Sequence, residues 1–149
     1  MGRESELRVL ARGRRAARKL LAQALYQLQL GDQPWQDIHA QFMNDPESDG
    51  ADAEYFRHLL MSIAGHREAL DELLGGFTDI APERLDPVEH AILWVAIVEL
   101  RDHPDVPFRV AISEAVELAK RFGATDGYKF VNGVLDRAAS VLRPVERSA

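Results

Sequence analysis

The stretch LDPVEHAILWVAIVEL, residues 85–100, constrains the fold more than any other part of the chain. From Ala91 to Val98 every residue is apolar, so a helix here has no polar side. Such a helix is buried all round, and the run is far shorter than the roughly 20 residues that cross a bilayer. It therefore reads as the central helix of a soluble core. Asp86 is placed to cap it, Pro87 fits the first turn, and Glu89, three residues after Asp86, has capping-box spacing.

The other segments supply helices to surround it. From Ala17 the apolar positions Leu20, Leu21, Ala24, Leu25 and Leu28 follow a helical stripe, and Arg15, Arg18, Lys19, Ala22 and Tyr26 follow another face. Gly31-Asp32 ends this helix. A short second helix carries Trp35, Ile38 and Phe42. Residues 44–52, NDPESDGAD, read as a solvated loop. One helix is expected from Phe56 to Leu74, weakened at Gly65 and stopped by Gly75-Gly76. Beyond the loop RDHPDVP, another places Ile112, Ala115, Val116, Ala119 and Phe122 on one side and stops at Gly123. The last starts near Asp126, which is placed to cap it, and carries Phe130, Val131, Val134, Leu135, Ala138 and Leu142. Within it Gly133 reads as a point of close helix contact, and the tail after Pro144 as frayed. The expected class is all-α, with no strands.

At 149 residues with 46% hydrophobic content, one domain can bury an adequate core without staples. The expected organisation is a flexible basic extension over residues 1–11, a single domain over 12–142 and a tail over 143–149. Cysteine is absent, which excludes thiolate catalysis and cysteine-based zinc sites. No signal-peptide core or membrane-length run is present, so the expected location is cytoplasmic.

Enzymatic constellations are missing too. The five histidines form no HExxH, and Glu54 with His58 reads as an ordinary surface pair rather than a metal site. Gly75-Gly76 belongs to no phosphate-binding loop. No catalysis, metal or cofactor is expected.

Charge is the strongest chemical signal. Residues 1–19 hold seven bases against two acids, while the whole chain has a formal net charge of -6. Screening acts over about 8 Å at physiological salt, so a polyanion at the first helix feels its local field rather than the distant acids. Arg12, Arg14, Arg15, Arg18 and Lys19 suit phosphate oxygens, and Tyr26 offers a ring for base stacking. A solvated helix face with a basic arm is the competing reading. A second patch, Tyr128, Lys129 and Phe130, opens the last helix, whose first N–H groups favour an anion. Periodicity alone assigns Phe130 to the core.

Taken in order, ARGRRAARKLLAQALYQLQL, YFRHLL, LDPVEHAILWVAIVEL, DVPFRVAISEAVELAKRFG and YKFVNGVLDRAA resemble the NusB transcription-antitermination family over about residues 12–142. The resemblance implies about seven helices in two packed sub-bundles. It also implies binding of the boxA element of nascent ribosomal-RNA transcripts together with NusE, a small-subunit ribosomal protein, in an assembly with other Nus factors and RNA polymerase. The family's arginine-rich motif falls on Arg14, Arg15 and Arg18, interrupted by Ala16 and Ala17, with Arg12 and Lys19 compensating. Its RNA surface continues through Gln23, Tyr26, Glu89, Asp126, Lys129 and Phe130, so the first helix and the start of the last are expected to be neighbours. NusE is expected on the C-terminal sub-bundle, and the chain is expected to be a monomer or homodimer. Alternatives are an RNA-binding module like that fused to ribosomal-RNA cytosine methyltransferases, and a helical adaptor that binds no RNA.

Overall fold

A computed structural model describes residues 2–148. Among the described residues there are eight α-helices and no strand: α1 (Arg3–Leu30), α2 (Trp35–Met43), α3 (Ala53–Ala64), α4 (Arg67–Gly75), α5 (Pro87–Asp102), α6 (Phe108–Phe122), α7 (Gly127–Leu142) and α8 (Pro144–Ser148). Short 3-10 turns occupy Pro46–Ser48 and Pro82–Arg84. The chain divides into two compact helical units, with the division between Gly65 and His66. None of the helices is long and apolar enough to cross a membrane.

In the first unit α1 packs on α2 and α3. Its expected stripe is buried, from Ala17 through Leu21 and Leu25 to Leu28, against Ile38 of α2 and Phe56, Leu59, Leu60 and Ile63 of α3. Asp52 begins α3 by accepting the Tyr55 N–H at 3.0 Å, while its own N–H donates to Gly13 O at 2.9 Å. That second bond ties the loop before α3 to the middle of α1. Residues 3–11, separated above as an extension, are the first turns of α1 itself.

In the second unit α5 is the central helix that its composition requires. Every residue from Glu89 to Leu100 is buried, with α4, α6 and α7 packed around it. Asp86 caps α5 by accepting from the N–H groups of Val88 and Glu89. Trp94, 1% exposed, donates its indole N–H to Asp71 Oδ1 of α4 at 2.8 Å, and the His90 ring meets the same oxygen at 2.6 Å.

Three local expectations are corrected. The helix expected across Phe56–Leu74 is two helices, because Gly65 caps α3 and a new helix starts at Arg67. The tail is not frayed: residues 144–148 form α8, and the chain around it closes two helix ends. Arg143, buried, donates to the carbonyls of Glu99, Leu100, His103 and Val106, which satisfies the end of α5 and the turn beyond it. Glu146 accepts the Phe108 N–H at the start of α6 and pairs with Arg143. Gly133 is not a site of close helix approach; a Cβ there would meet only Arg137 Nη1, at 3.7 Å.

Candidate nucleic-acid interface

Helical phase sorts the basic residues of α1 into two groups. Arg12, Arg15, Lys19, Gln23 and Tyr26 succeed one another at spacings of three or four, so they share one face. Arg12, Arg15 and Tyr26 are exposed on it; Lys19 and Gln23 are half-buried. Arg8 lies one turn earlier on that face and pairs with Glu4 at 3.2 Å. Ala22, grouped with this face in the sequence, is buried instead.

Arg14 and Arg18 point elsewhere. The Arg14 guanidinium lies 4.5 Å from the centroid of the Tyr55 ring and that of Arg18 lies 6.0 Å from it. Arg18 is only 4% exposed. Guanidinium planes over a tyrosine face gain cation–π attraction and bury their aliphatic stems. The expected arginine-rich motif is thus split: Arg15 faces solvent, while Arg14 and Arg18 lean on α3.

The second candidate patch lies at the turn from α6 into α7. Asp126, Lys129 and Phe130 stand at helical spacing on one face, with Asp126 and Lys129 exposed, Phe130 half-buried, and Lys129 Nζ 3.5 Å from Asp126 Oδ1. Phe130 is not the closed core residue its periodicity suggested. Asp126 occupies the N-cap position but does not cap through its side chain; its backbone is left-handed, with φ 64°. Lys120 and Lys129 flank the Tyr128 ring, at 5.1 and 6.0 Å from its centroid. Lys120 carried no binding signal in the sequence, where its position at the end of α6 explained it as a complement to the helix dipole.

Glu89 departs most from its expected place. It is 6% exposed, and instead of turning back to complete a capping box it accepts the Ala124 N–H at 3.1 Å with Oε2. Burial raises its pKa above the ordinary glutamate value, the Ala124 hydrogen bond opposes that rise, and the Asp86 charge adds to it. The carboxylate also lies against Gly127, where a Cβ would stand 2.7 Å from Glu89 Cδ. The α7 N-terminus, expected to be open to an anion, therefore already has a carboxylate beside its first residue. Among the described residues no group of three or more acidic or histidine side chains is arranged to hold a metal ion.

A family model described as the NusB family matches residues 15–140 of this chain. The chain belongs to the NusB family. The match takes in both candidate patches apart from Arg12 and Arg14 at its edge. Among curated relatives, the transcription antitermination protein NusB of Idiomarina loihiensis is 47% identical over 134 residues, covering 90% of this chain and 96% of its own length. That of Pseudomonas putida strain W619 is 48% identical over 136 residues, covering 91% of this chain and 82% of its own. The fold agrees: a solved NusB structure from T. maritima superposes with a TM-score of 0.73 at 30% identity, covering 85% of this chain and 90% of that one. This NusB-family chain thus has the all-helical architecture that its sequence implied.

Proposed function

We propose that this chain is a transcription antitermination factor that binds boxA RNA of nascent ribosomal-RNA transcripts together with NusE, and so supports transcription of ribosomal-RNA operons. The observation that carries this reading is the exposed face of α1, where Arg12, Arg15 and Lys19 share a stripe with Tyr26 in a member of the NusB family. The near end-to-end match to the Idiomarina protein favours this role over that of a module fused to a methyltransferase.

The mechanism is assembly without bond chemistry. On α1, Arg12, Arg15 and Lys19 meet phosphates, Tyr26 offers a ring face to a base, and Gln23 offers both a donor and an acceptor to base edges; at the α6–α7 turn, Lys129 meets phosphate and Phe130 offers a ring face to a base. Arg14 and Arg18 act from behind, bracing α1 against Tyr55 so that the outward face keeps its register. NusE enlarges the contacting surface, so RNA and NusE strengthen each other's binding by the same factor. Other Nus factors and RNA polymerase complete the assembly.

Fluorescence anisotropy with boxA RNA and a scrambled control, with and without NusE, tests this reading. The expected result is preference for boxA that grows when NusE is added. Four phosphate-binding cations give an expected salt slope of about -3 on a single strand. Equal binding to both RNAs, unchanged by NusE, would reject the role.

A further inference from the structure

The turn that presents Asp126, Lys129 and Phe130 is strained at one point and held at two others. Asp126 is the one non-glycine residue among the described residues with a positive φ. Left-handed backbone is unfavourable for an L-residue, and aspartate is among the few types that tolerate it. Such a conformation persists where its surroundings over-determine it. Here the two flanking points, Ala124 and Gly127, both touch the same side chain. Glu89 Oε2 accepts the Ala124 N–H, and the carboxylate fills the space where a Cβ on Gly127 would stand.

We propose that Glu89 is a positioning residue: its buried carboxylate braces the α6–α7 turn in the shape from which Asp126, Lys129 and Phe130 meet RNA, and makes no contact with the RNA itself. This rests on the RNA-binding reading above. Three observations support it. Only 6% of Glu89 is exposed, too little for a base or phosphate to reach. Its Oε2 is already committed to a backbone N–H from another helix turn. Its charge, facing outward, would repel phosphate; turned inward beside the first residue of α7, it meets the positive end of the helix dipole. Asp126, Lys129 and Phe130 fall at i, i+3 and i+4 counted from the strained residue, so relaxation there would rotate the whole face.

Gly127 is the other half of the brace. Any larger residue collides with the carboxylate, so Glu89 and Gly127 are energetically coupled, and the coupling is measurable as non-additivity.

The test compares Glu89→Gln, Glu89→Ala, Gly127→Ala and the Glu89→Ala/Gly127→Ala double variant, by amide hydrogen exchange at Ala124 and by anisotropy with boxA RNA. Glutamine keeps an acceptor oxygen without the charge, so Glu89→Gln should retain Ala124 protection and bind RNA within about twofold of the original chain. Glu89→Ala should lose the protection and weaken RNA binding by about tenfold, the order expected when a preorganised surface loosens. Gly127→Ala should weaken binding too, and the double variant should be no worse than Glu89→Ala alone. If Glu89→Gln loses RNA binding as fully as Glu89→Ala while Ala124 stays protected, Glu89 contacts RNA through its charge and the proposal is overturned. Unchanged exchange and binding in Glu89→Ala would overturn it as well. Should Glu89→Ala not fold, Glu89→Gln and Gly127→Ala carry the same comparison. A chain that shows no preference for boxA defeats the RNA reading instead, and exchange at Ala124 still decides whether Glu89 holds the turn.

Discussion

Trp94 donates its indole N–H to Asp71 Oδ1 at 2.8 Å, joining the central helix to α4 through a single carboxylate oxygen. Replacing Asp71 with alanine leaves a buried N–H without its acceptor, at a cost of about 1–3 kcal/mol. Urea unfolding followed by tryptophan fluorescence should register this loss. Asp71→Asn, which keeps an acceptor oxygen, should cost less; equal losses in both variants would assign the effect to charge.

Arg143 closes the end of α5 with one guanidinium. Its replacement by methionine preserves much of the apolar stem but strips the guanidinium donor from four carbonyls, of which those of Glu99 and His103 keep a backbone N–H, so stability should fall by about 3 kcal/mol. Lysine should not rescue it, because a single ammonium cannot reproduce the planar fork. Differential scanning calorimetry of the two variants measures both effects.

The two groups of cations on α1 should separate experimentally. Arg12→Ala, Arg15→Ala and Lys19→Ala together should weaken RNA binding and shift the melting temperature by no more than about five degrees, since surface substitutions of this kind move stability by only about ±0.5 kcal/mol each. Arg18→Ala and Tyr55→Ala should lower the melting temperature. Loss of helical circular dichroism in the Arg12/Arg15/Lys19 variant would place those side chains in packing and remove them from the interface.

Two carboxylates should shape the acid limb of stability in opposite directions. Glu146 is held below its ordinary pKa first by the Phe108 N–H and further by Arg143, so its contribution is present above the unfolded value and is lost as pH falls through the lowered folded one. Glu89 is raised by burial, so its contribution is complete below 4.5 and is lost as pH rises through its elevated folded value. Glu146→Gln should therefore reduce stability mainly at neutral pH, with the difference narrowing in acid. Glu89→Gln should improve relative to the original chain as pH rises above 4.5. Urea titrations at a series of pH values give both signs.

Much of this was legible in the sequence, for identifiable reasons. Local signals held wherever neighbours in sequence are also partners in space: the all-apolar run from Ala91 to Val98 is buried, and Asp86 caps where a cap was expected. Gly65 reads in the sequence only as a weak point, because a glycine that weakens a helix and one that ends it look alike without the following residues' contacts. The burial of Arg18 left a readable trace, since it precedes Leu25 by seven residues and so shares the side of α1 that the core uses. The partners of Glu89 and Arg143 left none. Ala124 is 35 residues from Glu89, and the carbonyls bound by Arg143 are 37 to 44 residues away. Helical periodicity cannot see across such separations.

That last separation bears on how the chain is made. While the polypeptide emerges from the ribosome, α5 and the turn beyond it exist for dozens of residues before Arg143 is made and can donate to their carbonyls. The residues up to Gly65 can compact during synthesis, as an N-terminal unit generally does, whereas the second unit acquires its closing hydrogen bonds only when translation reaches Arg143 and Glu146. A nascent chain stalled before that point should remain accessible to protease between α5 and α6.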